Sequence, residues 1–216
     1  MIETILAAYA AVMLAYMAAQ MRRWHGEGPL KILLASLYLA LALWAAWHYA
    51  SWPRAWPMLA VLACCWLGDL MIIRNFVIGG VAFLAANVLS AVHLLTMVAA
   101  GDCALVPAAA VIAFIACYGL FLTAMLTGWL DLKATPAFSA YIATITLDGA
   151  IAIGMLAAGP AEISVTLTAW GYVLFMASDY VLALFSFRYK DSRPLRLLNT
   201  LTYFPGIMML ALALAH

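Results

Sequence analysis

Charge is scarce in this sequence: 9% of its 216 residues are Asp, Glu, Lys or Arg, while 69% are hydrophobic. A soluble domain carries roughly a quarter charged residues, because it must keep a polar face toward water. This deficit argues against a water-soluble domain and leaves lipid as the solvent. The formal net charge is +1, which provides no basic footprint for nucleic acid. Cysteines are few and unpaired in pattern. Cys64 and Cys65 are adjacent, Cys117 lies in another apolar run, Cys103 sits in a loop, and no CxxC occurs. Neither a zinc site nor a disulfide framework is suggested, and these residues read as small buried apolar groups. There is no GxSxG elbow, which argues against a serine lipase. There is no HExxH or other paired-histidine motif, so a zinc hydrolase is poorly supported. The Gly26-Glu27-Gly28 stretch is not followed by a phosphate-cradling helix signature. The opening Met-Ile-Glu-Thr lacks a basic n-region, so a cleavable signal is not expected.

What is present is a series of long apolar runs. A spanning helix needs roughly 20 apolar residues. Such runs are expected near 2–20, 30–50, 57–73, 76–99, 105–126, 137–158, 161–187 and 195–215. The breaks carry turn or charge signals: Arg22 to Pro29, Trp52-Pro53-Arg54, Arg74-Asn75, Gly101-Asp102, Leu130 to Pro136, Gly159-Pro160 and Arg188 to Pro194. The third and fourth spans are joined by almost nothing and should form a tight antiparallel hairpin. The expected fold is all-α, a polytopic transmembrane bundle of about eight helices forming one membrane domain over residues 1–216.

Charge placement gives a second test of this division. Odd-numbered connections hold Arg22, Arg23, Lys31, Arg74, Lys133, Arg188, Lys190, Arg193 and Arg196; the even-numbered ones and both termini hold Arg54 alone. Nine basic residues against one is a positive-inside pattern, and it puts both termini outside the cytoplasm of a bacterial-type inner membrane. Trp24, Trp52, Trp56, Trp129 and Trp170 fall near span ends, where indole rings prefer to sit. Ala7, Ala11, Ala15 and Ala19 form a small-residue stripe on the first span, read as a packing face.

Against this background the ionisable groups inside the spans stand out. Each costs about 2.5–3.5 kcal/mol or more at membrane depth and should be paired or line a cavity. Asp69, Asp148 and Asp179 qualify, with Asn87 and His93 as further polar groups. By helical rise, Asp69 and Asp179 lie about 6 and 12 Å from the end of the bundle bearing the odd-numbered connections. They therefore suit one shared cavity. Each has a blander reading. Asp69 can pair with Arg74, Asp148 can be hydrogen-bonded by Thr144 one turn earlier, and His93 can be a packing residue. Buried carboxylates suit acid–base chemistry or proton movement.

At these aspartates the chain resembles the YhhN family of membrane proteins, which includes the lysoplasmalogenases. The resemblance covers most of the chain. A lysine opening the second span is matched by Lys31, and a Gly-Asp late in the third span by Gly68-Asp69. Phe76, Gly79 and Phe83 match a Phe-x-x-Gly and a following Phe, and Tyr118 and Met125 match a pair on the fifth span. The most specific piece, Gly-x-x-x-Phe-x-x-Ser-Asp, is matched by Gly171, Phe175, Ser178 and Asp179, and a last-span tyrosine by Tyr203. There are departures. Ile32 follows the lysine where proline is usual. Asn87 and Ser90 stand where the family has His and Tyr, and Ile207 stands where it has Gln.

The resemblance implies hydrolysis of the vinyl ether bond of a lysoplasmalogen, a lysophospholipid, to a fatty aldehyde and a glycerophospho-alcohol, without a cofactor or metal. Two carboxyls suit that reaction. Protonating a carbon of the double bond leaves an oxocarbenium ion to which water adds, and two acids divide the labour as they do in glycoside hydrolysis. The expected catalytic pair is Asp69 and Asp179; the sequence does not assign acid and base between them, and the greater depth of Asp179 only leans toward it as the acid. Lys31, Arg74, Asn87, Ser178 and Tyr203 are the expected substrate-binding residues, the two basic ones as phosphate donors or as plain orientation charges. Membrane lipids are the other expected partners, and oligomeric state is open. The rival is a proton-coupled transporter, in which Asp148 near mid-membrane would carry the proton. Against it, the sequence has no internal repeat and no pair of short, Gly/Pro-broken helices. A purely assembly role leaves three aspartates at depth without explanation.

Overall fold

A computed structural model describes residues 2–22, 27–100, 105–130, 136–159, 162–190 and 192–216. Among them are eight long helices and no strand. The helices are α1 (Ile2–Arg22), α2 (Glu27–His48), α3 (Trp52–Ile72), α4 (Phe76–Ala100), α5 (Leu105–Leu126), α6 (Pro136–Ala157), α7 (Ile163–Ala183) and α8 (Arg193–Ala213), with a π-helical turn, Leu184–Arg188, continuing α7. All eight are long and apolar enough to cross a membrane. At 21 to 25 residues and 1.5 Å per residue they match a hydrocarbon core about 30 Å thick. The outer surface confirms the solvent: Val77 is 71% exposed, Ile112 70% and Leu120 73%, side chains that water would not tolerate in such number.

The boundaries follow the expected breaks closely. The largest difference is at α3, which starts at Trp52 rather than 57. Pro53 sits in its first turn, where a missing N–H costs nothing. Cys103, Arg23, Trp24, Lys133 and the Gly101-Asp102 break lie outside the described residues, as do 131–135 and Pro160.

The hairpin between α3 and α4 is as tight as expected. Arg74 and Asn75 N–H groups donate to the Met71 carbonyl, at 2.9 and 2.8 Å. Asn75 Oδ1 then accepts from the N–H groups of Val77 (2.9 Å) and Ile78 (3.2 Å), capping α4. A Cβ on Gly79 would lie 2.7 Å from the Ile72 backbone, so glycine is what allows this approach. α7 and α8 make the most extensive pairing, followed by α3 with α4 and α5 with α6. α8 also touches α1, α2 and α3, α4 packs on α6, and α6 on α7. The helices thus enclose an interior lined by α2, α3, α4, α6, α7 and α8, while α5 lies outside and is the least buried.

Within the single chain, α1 does not pack on its alanine stripe. Ala7, Ala11 and Ala15 are exposed and Ala19 alone is buried. The inward face carries Tyr9 and Tyr16, both packed edge-on against Phe204. The Tyr9 hydroxyl donates to the Phe204 carbonyl at 2.8 Å. The larger aromatic area outweighs the stripe.

Candidate functional site

Asp69 lies in the last turn of α3, completely buried. Three side chains from two other helices hold it. Lys31 Nζ makes an ion pair with Oδ1 at 3.1 Å. Tyr203 donates to Oδ2 at 2.7 Å and Tyr38 to the same oxygen at 3.3 Å. Lys31 and Tyr38 are seven residues apart on α2, two turns along one face, so one helix supplies both. The partner of Asp69 is thus Lys31 and not Arg74, which is exposed at the hairpin.

Asp179, on α7 and 5% exposed, has different surroundings. Tyr141 of α6 donates to its Oδ2 at 2.6 Å. The carboxyl lines a cavity of about 320 Å³ with Phe83, Tyr141, Ile142, Leu182 and Phe187, at the small end of ligand sites. The π-helical turn follows immediately, closed by the Tyr189 N–H donating to the Leu184 carbonyl at 2.8 Å. Phe187, within this turn, forms part of the cavity wall.

Phe83 separates the two acids. Its ring packs on Tyr203 at 6.1 Å and Phe175 at 6.4 Å between centroids, and it lines the Asp179 cavity. It rests on Gly68, where a Cβ would come within 2.7 Å of the ring. The glycine beside Asp69 therefore lets α4 close over the site. Asp69 is not among the residues lining the Asp179 cavity, so the single cavity expected to be shared by the two acids is not found among the described residues; the carboxyls nevertheless belong to one region. Asp69 and Asp179 lie within electrostatic reach of each other, and buried Cys65 on α3 lies within reach of Asp69, Asp179 and Asp148.

Asp148, on α6, is fully buried, and neither carboxyl oxygen has a hydrogen-bond partner among the described residues. Thr144 does not serve it: its hydroxyl donates to the Tyr141 carbonyl at 2.8 Å. Asn87 and Ser90, one turn apart on α4, are also buried. Asn87 lies beside the Tyr141 hydroxyl and Ser90 beside that of Tyr172, without a hydrogen bond of good geometry. His93 is half-buried.

Of the expected binding residues, Lys31 and Tyr203 contact Asp69 directly, and Asn87 lies beside the tyrosine that holds Asp179. The Ser178 hydroxyl donates to the Phe175 carbonyl at 2.8 Å. Its own carbonyl accepts from Asn199 Nδ2 at 2.8 Å, tying α7 to α8 beside Asp179. Tyr118, stacked between Phe114 and Phe121 on α5, lies apart from the aspartates. Sequence reasoning missed Tyr38 and Tyr141. The available signal was a tyrosine inside an apolar span, whose hydroxyl must find an acceptor. Among the described residues, no group of three or more His, Cys, Asp or Glu side chains is placed to hold a metal ion.

Most of the positions that carry the resemblance are thus gathered in space: Lys31, Gly68, Asp69, Phe83, Phe175 and Tyr203 form one continuous set of contacts, and Asp179 lines the cavity that Phe83 walls. No curated protein and no solved structure matches the chain. The YhhN family profile matches residues 29–214. On that match, which takes in every residue of the site, the chain belongs to the YhhN family.

Proposed function

We propose that the protein is a membrane-embedded hydrolase that cleaves the vinyl ether bond of lysoplasmalogen-type lysophospholipids, releasing a fatty aldehyde and a glycerophospho-alcohol. The observation that carries this reading is the unequal surroundings of two neighbouring buried carboxyls. Asp69 has a lysine at 3.1 Å and two tyrosine donors, partners that offset the cost of burying a carboxylate. Asp179 has one tyrosine donor and otherwise faces an apolar cavity, surroundings that favour the neutral acid.

The roles follow. Tyr141 donates to Oδ2 of Asp179, so the proton of the neutral acid sits on Oδ1. That proton goes to the vinyl carbon remote from the ether oxygen, and the double-bond electrons form the new C–H bond. The resulting oxocarbenium ion is stabilised through space by the Asp69 carboxylate, which lies beyond Phe83 and outside the cavity. Water adds to the cation and returns a proton to Asp179, leaving a hemiacetal. The hemiacetal breaks its C–O bond to give aldehyde and alcohol. Asp179 thus acts first as acid and then as base.

Lys31 is engaged by Asp69, so the exposed Arg74 is the better candidate for the phosphate. The asymmetry of basic residues supports placing both termini outside the cytoplasm, in an inner membrane of bacterial type. The test is aldehyde release by purified protein from a lysoplasmalogen. Asp69→Asn and Asp179→Asn should each lower the rate by at least about a hundredfold, and variants that keep the parent rate would refute the pair.

A further inference from the structure

Gly79 and Gly80 are neighbours in α4 with opposite surroundings. Gly79 is buried against the Ile72 backbone, whereas a Cβ on Gly80 would meet nothing within 4 Å. A glycine inside a helix costs about 1 kcal/mol relative to alanine. At Gly79 close packing offsets that cost; at Gly80 no neighbour requires it. Gly80 instead lines the cavity that reaches Asp179.

The other walls indicate what the space holds. Phe76, Val77 and Val81 of α4 also line it, and they are 49%, 71% and 62% exposed on the outer surface. The cavity therefore meets the lipid phase along α4. Its inner walls are Phe83, Phe138, Ile142, Leu182, Ala183 and Phe187, and its polar groups are Asp179 and Tyr141. An apolar channel with one end at lipid and a carboxyl at the other fits a single aliphatic chain whose reactive end is polar.

We propose that this cavity is the slot for the substrate's aliphatic chain, entered sideways from the bilayer, and that the missing side chain of Gly80 sets the bulk of chain it admits. The proposal rests on the hydrolase reading for the identity of the substrate, but the slot is a property of the cavity alone. A leucine at position 80 would project into the slot. It is also a better helix former than glycine, so the variant is expected to fold.

Two arms test it. In the first, kcat/KM is measured over a series of lysoplasmalogens from short to long chains. Gly80→Leu should lower kcat/KM for long chains by about tenfold or more and leave the shortest nearly unchanged, with Gly80→Ala between. Ala85→Leu, which adds similar bulk to an exposed position of the same helix, should follow the parent throughout. A Gly80→Leu profile parallel to the parent's would overturn the proposal. In the second arm, a lysophospholipid with a photoactivatable diazirine in its chain is crosslinked to the protein in detergent. Label should map to the cavity walls in the parent, within residues 72–84, 138–142 and 179–187, and be lost in Gly80→Leu. Equal labelling of the two, or label elsewhere, would overturn the slot. If the parent releases no aldehyde from any chain, the hydrolase reading fails while the crosslinking arm still decides the slot.

Discussion

The Tyr203 hydroxyl donates a 2.7 Å hydrogen bond to Oδ2 of Asp69, across 134 positions of sequence. It joins the end of α3 to the middle of α8, and its ring packs against Phe83, Phe175 and Phe204. Tyr203→Phe keeps those ring contacts and removes one donor. A hydrogen bond to a charged group is worth about 1.5–3 kcal/mol. Aldehyde release should therefore fall roughly tenfold to a hundredfold with little change in folding. An unchanged rate would mean that this bond serves only the fold.

Lys31 stands in a different relation to the same carboxylate. Its side chain is 19% exposed and that of Asp69 1%, so removing the lysine leaves an almost fully buried charge without its ion. Lys31→Met should lower unfolding stability by about 3 kcal/mol, measured by denaturant titration in detergent. Adding Asp69→Asn should recover most of that loss, because the amide carries no charge. A Lys31→Met variant as stable as the parent would show that Asp69 is not held as an anion.

Asp148 tests the rival reading. Neither of its oxygens has a hydrogen-bond partner among the described residues, so a leucine of similar size should be neutral or stabilising by about 1–3 kcal/mol. As the account gives Asp148 no part in the reaction, Asp148→Leu should release aldehyde within about threefold of the parent rate. The account also expects full activity in detergent, where no sealed compartment exists. Proton movement into proteoliposomes that stops in Asp148→Leu would favour a transporter instead.

Much of this arrangement could be read in the sequence, for a physical reason. A bilayer demands long uninterrupted apolar helices, so eight runs and their breaks were visible, and a carboxylate inside such a run announces itself by its cost. Asp69 and Asp179 were found that way. Their partners were not. Tyr38 and Tyr141 do not stand out in the sequence, because only tertiary packing decides which acceptor a phenol meets. Lys31 read as a span-end charge, although its stem reaches inward to Asp69. Thr144 lies one turn from Asp148, but its hydroxyl turns to the backbone, as threonines in helices often do. The π-helical turn after Asp179 left no sequence signal, and it shapes the cavity.

The central claim is that Asp179 delivers a proton to carbon. Turnover of a lysoplasmalogen by the purified protein in deuterium oxide tests it directly, with the aldehyde reduced as it forms and analysed by mass spectrometry. The account predicts one deuterium on the carbon next to the carbonyl carbon, and no product above background from Asp179→Asn. Aldehyde lacking that deuterium, or formed undiminished by Asp179→Asn, would contradict it.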